Sequence, residues 1–312
     1  MAGLAIETEQ LRKRYGEFEA VRGVDLAIPQ GEVFALLGPN GAGKTTTVEI
    51  LEGYRQRSDG RAAVLGTDPA TGGGSWRARI GIVLQSTGVF DALTVEEVVR
   101  HFATFYPKPL PVDHVIQITG LEEKRKARCK SLSGGQKRRV DLALGLIGDP
   151  ELIFLDEPTT GFDPAARRQS WEVVREFTRL GKTVLLTTHY MDEAEYLADR
   201  VGVIVAGRMV EAGPPRELGG RARAMAHVTF RAEGAIAGRA LPPLAGTVEA
   251  GPPLVRIATG EPTAVVAALA AWAREAGIAE LPELAVTRPS LEDIYLRLIE
   301  EHGEPAATGG AA

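Results

Sequence analysis

The chain has 312 residues, of which 44% are hydrophobic and 25% charged, a composition typical of folded globular proteins. This length predicts one large domain with a small addition, or two domains. The net charge of −5 gives no electrostatic basis for broad nucleic-acid binding, and the single cysteine, Cys129, excludes a disulfide framework and a four-thiolate zinc site.

Neither a signal peptide nor a membrane span is predicted. Charged residues interrupt the first stretch, MAGLAIETEQLRKR, before an apolar core can form. The most apolar stretch, AVVAALAAWA at 264–273, has about half of the roughly 20 residues that a membrane-spanning helix requires. We therefore expect a protein that does not cross a membrane by itself, although it can lie against one.

The N-terminal part predicts strands that lead into a glycine-rich loop. AIETEQLRKRY and AVRGVDLAI alternate as strands do, and EVFALLG predicts a short buried strand. TTTVEILEGY predicts a helix. Between strand and helix lies GPNGAGKTT at 38–46, which we call the phosphate loop. Strand, loop and helix are the context that this motif requires.

The phosphate loop matches the pattern GxxxxGK[ST]. Its glycines let backbone N–H groups converge on phosphate oxygens, and the N-terminus of the following helix favours an anion. Lys44 is expected to reach the β- and γ-phosphates, and the Thr45 hydroxyl to hold Mg²⁺. The predicted ATP-binding residues of the loop are Gly38, Pro39, Asn40, Gly41, Ala42, Gly43, Lys44, Thr45 and Thr46.

A mostly helical insertion is predicted over about 86–148. TVEEVVRHFATFY predicts a helix opened by a capping box of Thr94 and Glu97. LSGGQ at 132–136 precedes a second helix, in which Val140, Leu144 and Ile147 share one face.

LSGGQ itself has the features of a second phosphate site. Ser133 is expected to cap the helix, and Gly134 and Gly135 to let an anion approach its N-terminus. Because LSGGQ lies in its own helical segment, far from the phosphate loop in sequence, a simple geometry is that it completes the ATP site of a second chain. Two copies facing head to tail would then enclose two ATP molecules in a C₂ arrangement.

Two further buried strands are predicted to end in polar residues. LIFLDEP at 152–158 delivers Asp156 to the magnesium ion through water, and it aims Glu157 at the γ-phosphate. Glu157 is predicted to be the general base that activates water. TVLLTTH at 183–189 ends in His189, the second predicted catalytic residue, which is expected to touch the γ-phosphate.

Other phosphate-loop classes fit less well. A GTPase requires an Asn/Thr-Lys-x-Asp motif, and no lysine of this chain is followed by aspartate two residues later. A small-molecule kinase would have no use for LSGGQ.

Together, GPNGAGKTT, Gln85, LSGGQ, LIFLDEP, the TTGFDP turn and His189 resemble the ATP-binding subunits of ABC transporters over residues 1 to about 213. The resemblance implies ATP as the bound nucleotide, Mg²⁺ as its metal ion, and the facing dimer. It also implies that Tyr15 stacks on adenine, that Gln85 senses Mg²⁺ and the γ-phosphate, and that Asp163 crosses the dimer interface. Phe162 stands where leucine is usual, a conservative apolar change.

The resemblance also groups the remaining site residues. The signature residues expected to bind the ATP of the partner chain are Ser133, Gly134, Gly135 and Gln136. The residues expected to hold the metal ion are Thr45, Gln85 and Asp156.

LALGLIGDPELIFLDEPTTGFDP and the tail SLEDIYLRL are similar to the bacterial drug- and antibiotic-export branch, which includes daunorubicin-type exporters. Members pair an ATPase with a separate permease of about six membrane helices. The implied function is an ATP-hydrolysing subunit that powers export of a drug-like or antibiotic small molecule. It would be peripheral, on the cytoplasmic face of the cell membrane, bound to the permease and to a second copy or a related ATPase chain, with no nucleic acid.

The predicted fold class is α/β: a P-loop ABC ATPase core with an antiparallel β subdomain and a helical insertion, plus a small α+β C-terminal domain. The predicted boundaries are 1–218 for the ATPase domain, 219–302 for the accessory domain and 303–312 for a disordered tail. By resemblance, the accessory domain stabilises the dimer or regulates it, and packing onto the ATPase domain is the alternative.

Two alternative functions stay open. One is an ATPase of an assembly complex without a permease, and the other is the ATPase of an importer. ABC translation factors join two ATPase domains, whereas this chain has one, and ABC repair proteins carry a long coiled coil for which it has no room. Export rests on the branch resemblance, because no residue sets the direction of transport.

Overall fold

The computed structural model describes residues 3–84 and 90–303. Two compact units are present: Met1–Pro215 with Leu298–Ala312, and Arg216–Arg297. The domain boundaries predicted above stay a prediction, although the second unit begins close to residue 219. Apart from Gly303, the predicted disordered tail lies outside the described residues.

The first unit contains nine strands and seven helices among its described residues, up to the start of the second unit. The strands are β1 (Leu4–Tyr15), β2 (Phe18–Pro29), β3 (Val33–Leu37), β4 (Asp59–Val64), β5 (Ile80–Val83), β6 (Leu152–Asp156), β7 (Thr183–Thr187), β8 (Arg200–Val205) and β9 (Arg208–Gly213). The helices are α1 (Lys44–Leu51), α2 (Gly74–Arg77), α3 (Val95–Ala103), α4 (Val112–Ile118), α5 (Gly134–Leu146), α6 (Pro164–Arg179) and α7 (Met191–Leu197).

The central sheet of this unit has six strands in the order β5-β6-β7-β3-β8-β9. The strands from β5 to β8 are parallel, and β9 returns antiparallel to β8. Every residue of β3 and β7 is buried, which explains the unbroken apolar runs that predicted these strands. Because the strands are parallel, the carboxyl ends of β3, β6 and β7 lie on one edge of the sheet.

A smaller antiparallel sheet has the order β2-β1-β4. Its apolar side shares one core with the central sheet, and this core includes Ile6, Val21, Phe34, Leu51 and Phe154. The helix α1 lies in the same core through Val48 and Ile50. This packing fixes the loop between β3 and α1 against both sheets.

The helical insertion has a core of its own. Its buried residues include Val95, Val99, Val115, Val140 and Leu144. Thr94 and Glu97 form the predicted capping box, since each side chain accepts a hydrogen bond from the other's backbone N–H. The predicted apolar face of α5 is confirmed, because Val140, Leu144 and Ile147 are all buried in this core. Helix α5 packs against α3 and α4.

The second unit is a four-stranded antiparallel sheet with a helix packed on one face. Its strands follow the order β11 (Thr247–Ala250), β12 (Leu254–Thr259), β10 (Ala226–Arg231), β13 (Ala285–Thr287). Val228, Phe230 and Ile257 face α8 (Pro262–Glu275), which contributes Leu269 and Trp272 to the core. The predicted fold class, including this small α+β part, is confirmed.

The last helix, α9 (Leu291–His302), begins with a capping box. Ser290 Oγ accepts a hydrogen bond from the Asp293 N–H, and Asp293 Oδ2 accepts one from the Ser290 N–H. Among the described residues no helix is long and apolar enough to span a membrane.

Candidate nucleotide-binding site

A cavity of about 270 Å³ lies at the edge of the central sheet where β3, β6 and β7 end. It brings together the predicted phosphate loop, the predicted carboxylates and the aromatic residue expected to face adenine. The residues that line it are Tyr15, Phe18, Ala20, Asn40, Gly41, Gly43, Lys44, Thr45, Thr46, Asp156, Glu157 and Thr187. These residues come from β1, β2, the phosphate loop, the start of α1 and the ends of β6 and β7, which lie far apart in sequence.

Two glycines of the phosphate loop have no room for a side chain. Gly43 has a φ of +100°, and a Cβ there would lie 2.4 Å from the carbonyl oxygen of Ala20. A Cβ on Gly38 would lie 2.3 Å from the carbonyl oxygen of Ile204. The loop can therefore approach the neighbouring backbone only with glycine at these positions, and α1 begins directly afterwards at Lys44.

Lys44 is buried, and its ammonium group lies across the loop. Its Nζ donates hydrogen bonds to the carbonyl oxygens of Gly38, at 2.6 Å, and Pro39, at 3.0 Å. Burial lowers the pKa of Lys44, while the negative charges of Glu157 and Asp156 act in the opposite direction. A cation near carboxylates at the positive end of a helix forms a pocket suited to phosphate oxygens.

The two predicted acids extend from the end of β6. Asp156 pairs in register with Thr187 on β7, and the Thr187 hydroxyl donates a hydrogen bond of 2.6 Å to Asp156 Oδ1. Glu157 has a φ of +43°, which is unusual for a residue with a side chain. Its backbone N–H donates to the carbonyl oxygen and to the hydroxyl of Thr187, at 3.1 Å each.

His189 lies beside the predicted base. Its Nδ1 is 3.5 Å from Glu157 Oε2, and the same carboxylate oxygen accepts a hydrogen bond of 3.0 Å from the Thr160 hydroxyl. The side chain of His189 is 45% exposed, and His189 is not among the residues that line the cavity described above. Both predicted catalytic residues therefore meet at one point.

LSGGQ is organised as a helix N-terminus, but it does not line the cavity described above. Ser133 Oγ accepts a hydrogen bond from the Gln136 N–H, and Gln136 Oε1 accepts one from the Ser133 N–H, which makes a capping box. None of the described cavity-lining residues comes from Ser133, Gly134, Gly135 or Gln136.

Asp163 also lies outside the cavity and caps α6. Its Oδ1 accepts hydrogen bonds from the N–H groups of Ala165 and Ala166. The predicted contacts of Gln85 with ATP and Mg²⁺ fall on a residue outside the described part of the chain.

Three cavity residues were not predicted from the sequence: Phe18, Ala20 and Thr187. Phe18 pairs with Tyr15 across the β1–β2 hairpin, so two exposed aromatic rings border the opening. The guanidinium of Arg55 lies 5.4 Å from the centre of the Tyr15 ring. Part of the signal for Thr187 exists in TVLLT, where a hydroxyl ends an apolar strand. That this strand lies beside β6 is seen only in the structure.

Comparison with known proteins gives two family matches. A family described as "ABC transporter" matches residues 21–160, and one described as "ABC transporter domain-containing protein-like, C-terminal domain" matches residues 226–290. A solved structure of cbiO1 from Clostridium perfringens, part of the ABC transporter complex cbiONQ, is similar with a TM-score of 0.63 and 30% identity. It covers 69% of this chain, and 90% of that chain is matched.

Two relatives match along nearly their whole lengths. The daunorubicin resistance ATP-binding protein DrrA3 of Streptomyces coeruleorubidus is 36% identical over 96% of each chain. The Nod factor export ATP-binding protein I of Ralstonia nicotianae is 37% identical over 94% of this chain and 93% of its own.

An α/β fold with this phosphate loop and these carboxylates is that of an ATPase. The chain belongs to the ATP-binding proteins of ABC transporters, so it binds and hydrolyses ATP as a transporter subunit. Its relatives fit the export branch that the sequence resembles, which confirms that prediction.

Proposed function

We propose that this chain powers the export of a drug-like or antibiotic small molecule through a separate membrane permease. The observation that carries the proposal is the match along almost the whole chain to ATP-binding proteins named for daunorubicin resistance and Nod factor export. Because this match extends beyond the ATPase core into the second unit, it is more specific than a shared nucleotide site.

In this proposal the cavity holds one ATP molecule. The phosphate loop cradles the phosphates, Lys44 neutralises their charge, and the adenine stacks on Tyr15 beside Phe18. Glu157 takes a proton from the attacking water, and His189, 3.5 Å from that carboxylate, contacts the γ-phosphate. Thr160 and Thr187 hold the Glu157 side chain and backbone, so the base is oriented before ATP binds.

The donor set of the site fits Mg²⁺. The Thr45 hydroxyl and the Asp156 carboxylate are hard oxygen ligands, and among the described residues no cluster of three His, Cys, Asp or Glu side chains forms an all-protein metal site. Magnesium typically keeps several waters and is held by one or two protein oxygens together with phosphate oxygens. When bound, it would neutralise charge on the phosphates. Gln85 stays a predicted ligand.

Two copies of the chain would face each other head to tail. The position of LSGGQ outside the described cavity supports this arrangement, because a capped helix N-terminus suited to phosphate otherwise has no nucleotide to contact. Ser133, Gly134, Gly135 and Gln136 would bind the ATP of the partner, and Asp163 would lie at the interface. ATP binding closes the dimer and hydrolysis opens it.

The permease would dock near Gln85 and residues 86–100, which follow β5 in the sequence. A cavity of about 500 Å³ lies beside β5, the strand that leads to this segment, and Tyr54, Ile80, Ile82 and Tyr106 are among its lining residues. Tyr54 is 69% exposed, the highest value among the exposed large hydrophobic residues of the described chain. A partner helix would cover it, and in this proposal the ATPase lies on the cytoplasmic face of the membrane.

Co-purification and efflux test the proposal. The tagged chain is purified from its native cell after membranes are solubilised in mild detergent, and the proteins recovered in the same amount as the tagged chain are identified. We expect an integral membrane protein among them. Vesicles that contain this protein and the tagged chain should show ATP-dependent efflux of a drug-like molecule. Glu157→Gln is the matched control that binds ATP without transport. A soluble assembly complex, or ATP-dependent uptake, would contradict export.

A further inference from the structure

A buried arginine joins the LSGGQ helix to the strands that carry the catalytic acids. Arg138 lies on α5 and is 5% exposed. Its Nε donates to the carbonyl oxygen of Pro158 at 2.9 Å, and its Nη2 donates to the carbonyl oxygen of Asp156 at 3.0 Å. Its Nη1 donates to the carbonyl oxygen of Leu84, the residue directly after β5.

These three acceptors make the position of Arg138 specific. A buried charge is costly unless it is hydrogen-bonded, and here the guanidinium N–H groups donate to three backbone carbonyl oxygens. The nearest carboxylate oxygen is that of Asp141, at 3.8 Å, on the same helix. A planar guanidinium has a fixed donor geometry, so a shift of α5 pulls on all three carbonyls together.

The carbonyls belong to the segments that surround Glu157. Asp156 precedes the base, Pro158 follows it, and Leu84 directly follows β5, the strand parallel to β6. Ser133 lies at the N-terminus of the same helix as Arg138. A single side chain therefore connects the helix expected to bind one ATP to the carboxylate expected to act on the other.

We propose that Arg138 is a positioning residue that couples the two ATP sites of the dimer. The proposal rests on the facing dimer of the proposed function. When the ATP of the partner binds at Ser133, α5 moves, and Arg138 transmits the movement to Glu157 of its own chain. Each site is then fully active only when the other is filled, so hydrolysis is cooperative in ATP.

The next residue is a matched control. Arg139 lies on the same helix, and its Nη1 donates to the carbonyl oxygen of Gly120 at 2.8 Å. That partner belongs to the helical insertion, not to the catalytic strands. A lysine at either position keeps the charge and loses the planar donor geometry. Arg138→Lys disconnects the segments around Glu157, whereas Arg139→Lys disconnects Gly120 at a less buried residue.

The test measures ATPase rate against ATP concentration in the full-length protein. For Arg138→Lys we expect kcat to fall about 10- to 100-fold, as for small misplacements of catalytic groups, while the Kd for ATP stays within about twofold of wild type. The Hill coefficient should fall to one. Arg139→Lys should keep both the rate and the cooperativity of wild type. A merely structural role would lower the fraction of protein that binds ATP, without removing cooperativity in the rest.

Wild-type rate and cooperativity in Arg138→Lys would overturn the coupling, as would a wild-type protein with a Hill coefficient of one. If Arg138→Lys does not fold, hydrogen exchange in Glu157→Gln gives a second measurement. Peptides covering 132–146 and 152–158 should gain protection over the same ATP range, and separate ranges would overturn the proposal. A wild-type protein that hydrolyses ATP but never dimerises would instead contradict the proposed function.

Discussion

The hydroxyl of Thr187 lies 2.6 Å from Oδ1 of Asp156 and donates a hydrogen bond to it. The same hydroxyl accepts a hydrogen bond from the backbone N–H of Glu157. One side chain at the end of β7 therefore holds the carboxylate expected to bind Mg²⁺ and the backbone of the predicted base. We expect Thr187 to orient both acids before nucleotide binds.

Replacing Thr187 with valine should remove both hydrogen bonds of the hydroxyl and keep the packing of the side chain, because valine has a similar shape without the hydroxyl. We expect Thr187→Val to raise the Mg²⁺ concentration needed for half-maximal ATPase about 10- to 100-fold, the usual cost of removing a partner of a metal ligand. Thr187→Ser keeps the hydroxyl and should stay near wild type. An unchanged Mg²⁺ titration in Thr187→Val would show that Asp156 is oriented by other groups.

Replacing Glu157 with glutamine should remove the base and keep the phosphate cradle. We expect hydrolysis to fall about 10²- to 10⁴-fold, while ATP still binds and holds the protein as a dimer. Light scattering after gel filtration with saturating ATP and Mg²⁺ measures the dimer. Lys44→Ala is the control, because it weakens the phosphate site itself. Monomeric Glu157→Gln under these conditions would contradict the shared-site arrangement.

The parts of the fold that the sequence predicted are those with local signals. The phosphate loop carries its glycines because Gly43 has a positive φ and no space for Cβ. The strands β3, β6 and β7 are unbroken apolar runs because both faces are buried. The caps of α3 and α5 depend on residues three positions apart. Each of these features can be recognised without knowing its partner.

Features that depend on distant partners were missed. Thr187 contacts Asp156 only because β7 lies beside β6, and the sequence does not give that strand order. The short strands β4 and β5 have few residues and gain their stability from pairing across long intervals. Arg138 lies in the polar stretch KRR, which gives no sign of burial. Its partners, the carbonyl groups of Asp156 and Pro158, lie 18 and 20 residues further along the chain.

Replacing Ser133 with arginine should test whether LSGGQ serves a second chain. A bulky cation at the helix N-terminus blocks phosphate approach there, so we expect hydrolysis to be abolished with ATP affinity at the phosphate loop unchanged within about threefold. Filter binding and ATPase assays on the same protein measure both. Ser131→Arg adds the same charge at an exposed position outside the motif and should stay active. If affinity collapsed with activity, LSGGQ would belong to the site of its own chain.

Replacing Tyr54 with aspartate should disrupt permease docking without changing the ATP site. A carboxylate in place of the Tyr54 ring loses aromatic contact area and adds a charge that is costly to bury against a partner, so we expect the co-purified membrane protein to fall at least about tenfold. ATPase activity of the isolated chain should match wild type. Leu180→Asp, at another exposed apolar position of the same unit, is the control and should keep the partner. If both variants recovered the same amount of the membrane protein, the permease would dock on another surface of the chain.

Glu52 should make the stability of the protein depend on pH. It lies at the C-terminal end of α1 and is 7% exposed. Burial raises the pKa of this carboxyl from 4.5 to about 8, and the negative charges of Asp156 and Glu49 act in the same direction. At a pH between these two pKa values, Glu52 keeps its proton in the folded protein and has lost it in the unfolded chain. The free energy of unfolding therefore falls as pH rises through this range, and the loss is complete above the folded pKa.

Glu52→Gln removes the ionisation and keeps a similar shape. We expect the wild type to lose on the order of 3–5 kcal/mol from this group between about pH 5 and pH 9, and the variant to lose much less. Urea unfolding at both pH values measures the difference, with Glu17→Gln as the exposed control. The variant should therefore exceed wild type in stability most strongly at the higher pH. If the free energy of unfolding changed equally with pH in wild type and Glu52→Gln, the carboxyl would ionise without cost in the folded protein. Water would then reach it from the cavity beside β5, which Glu52 lines.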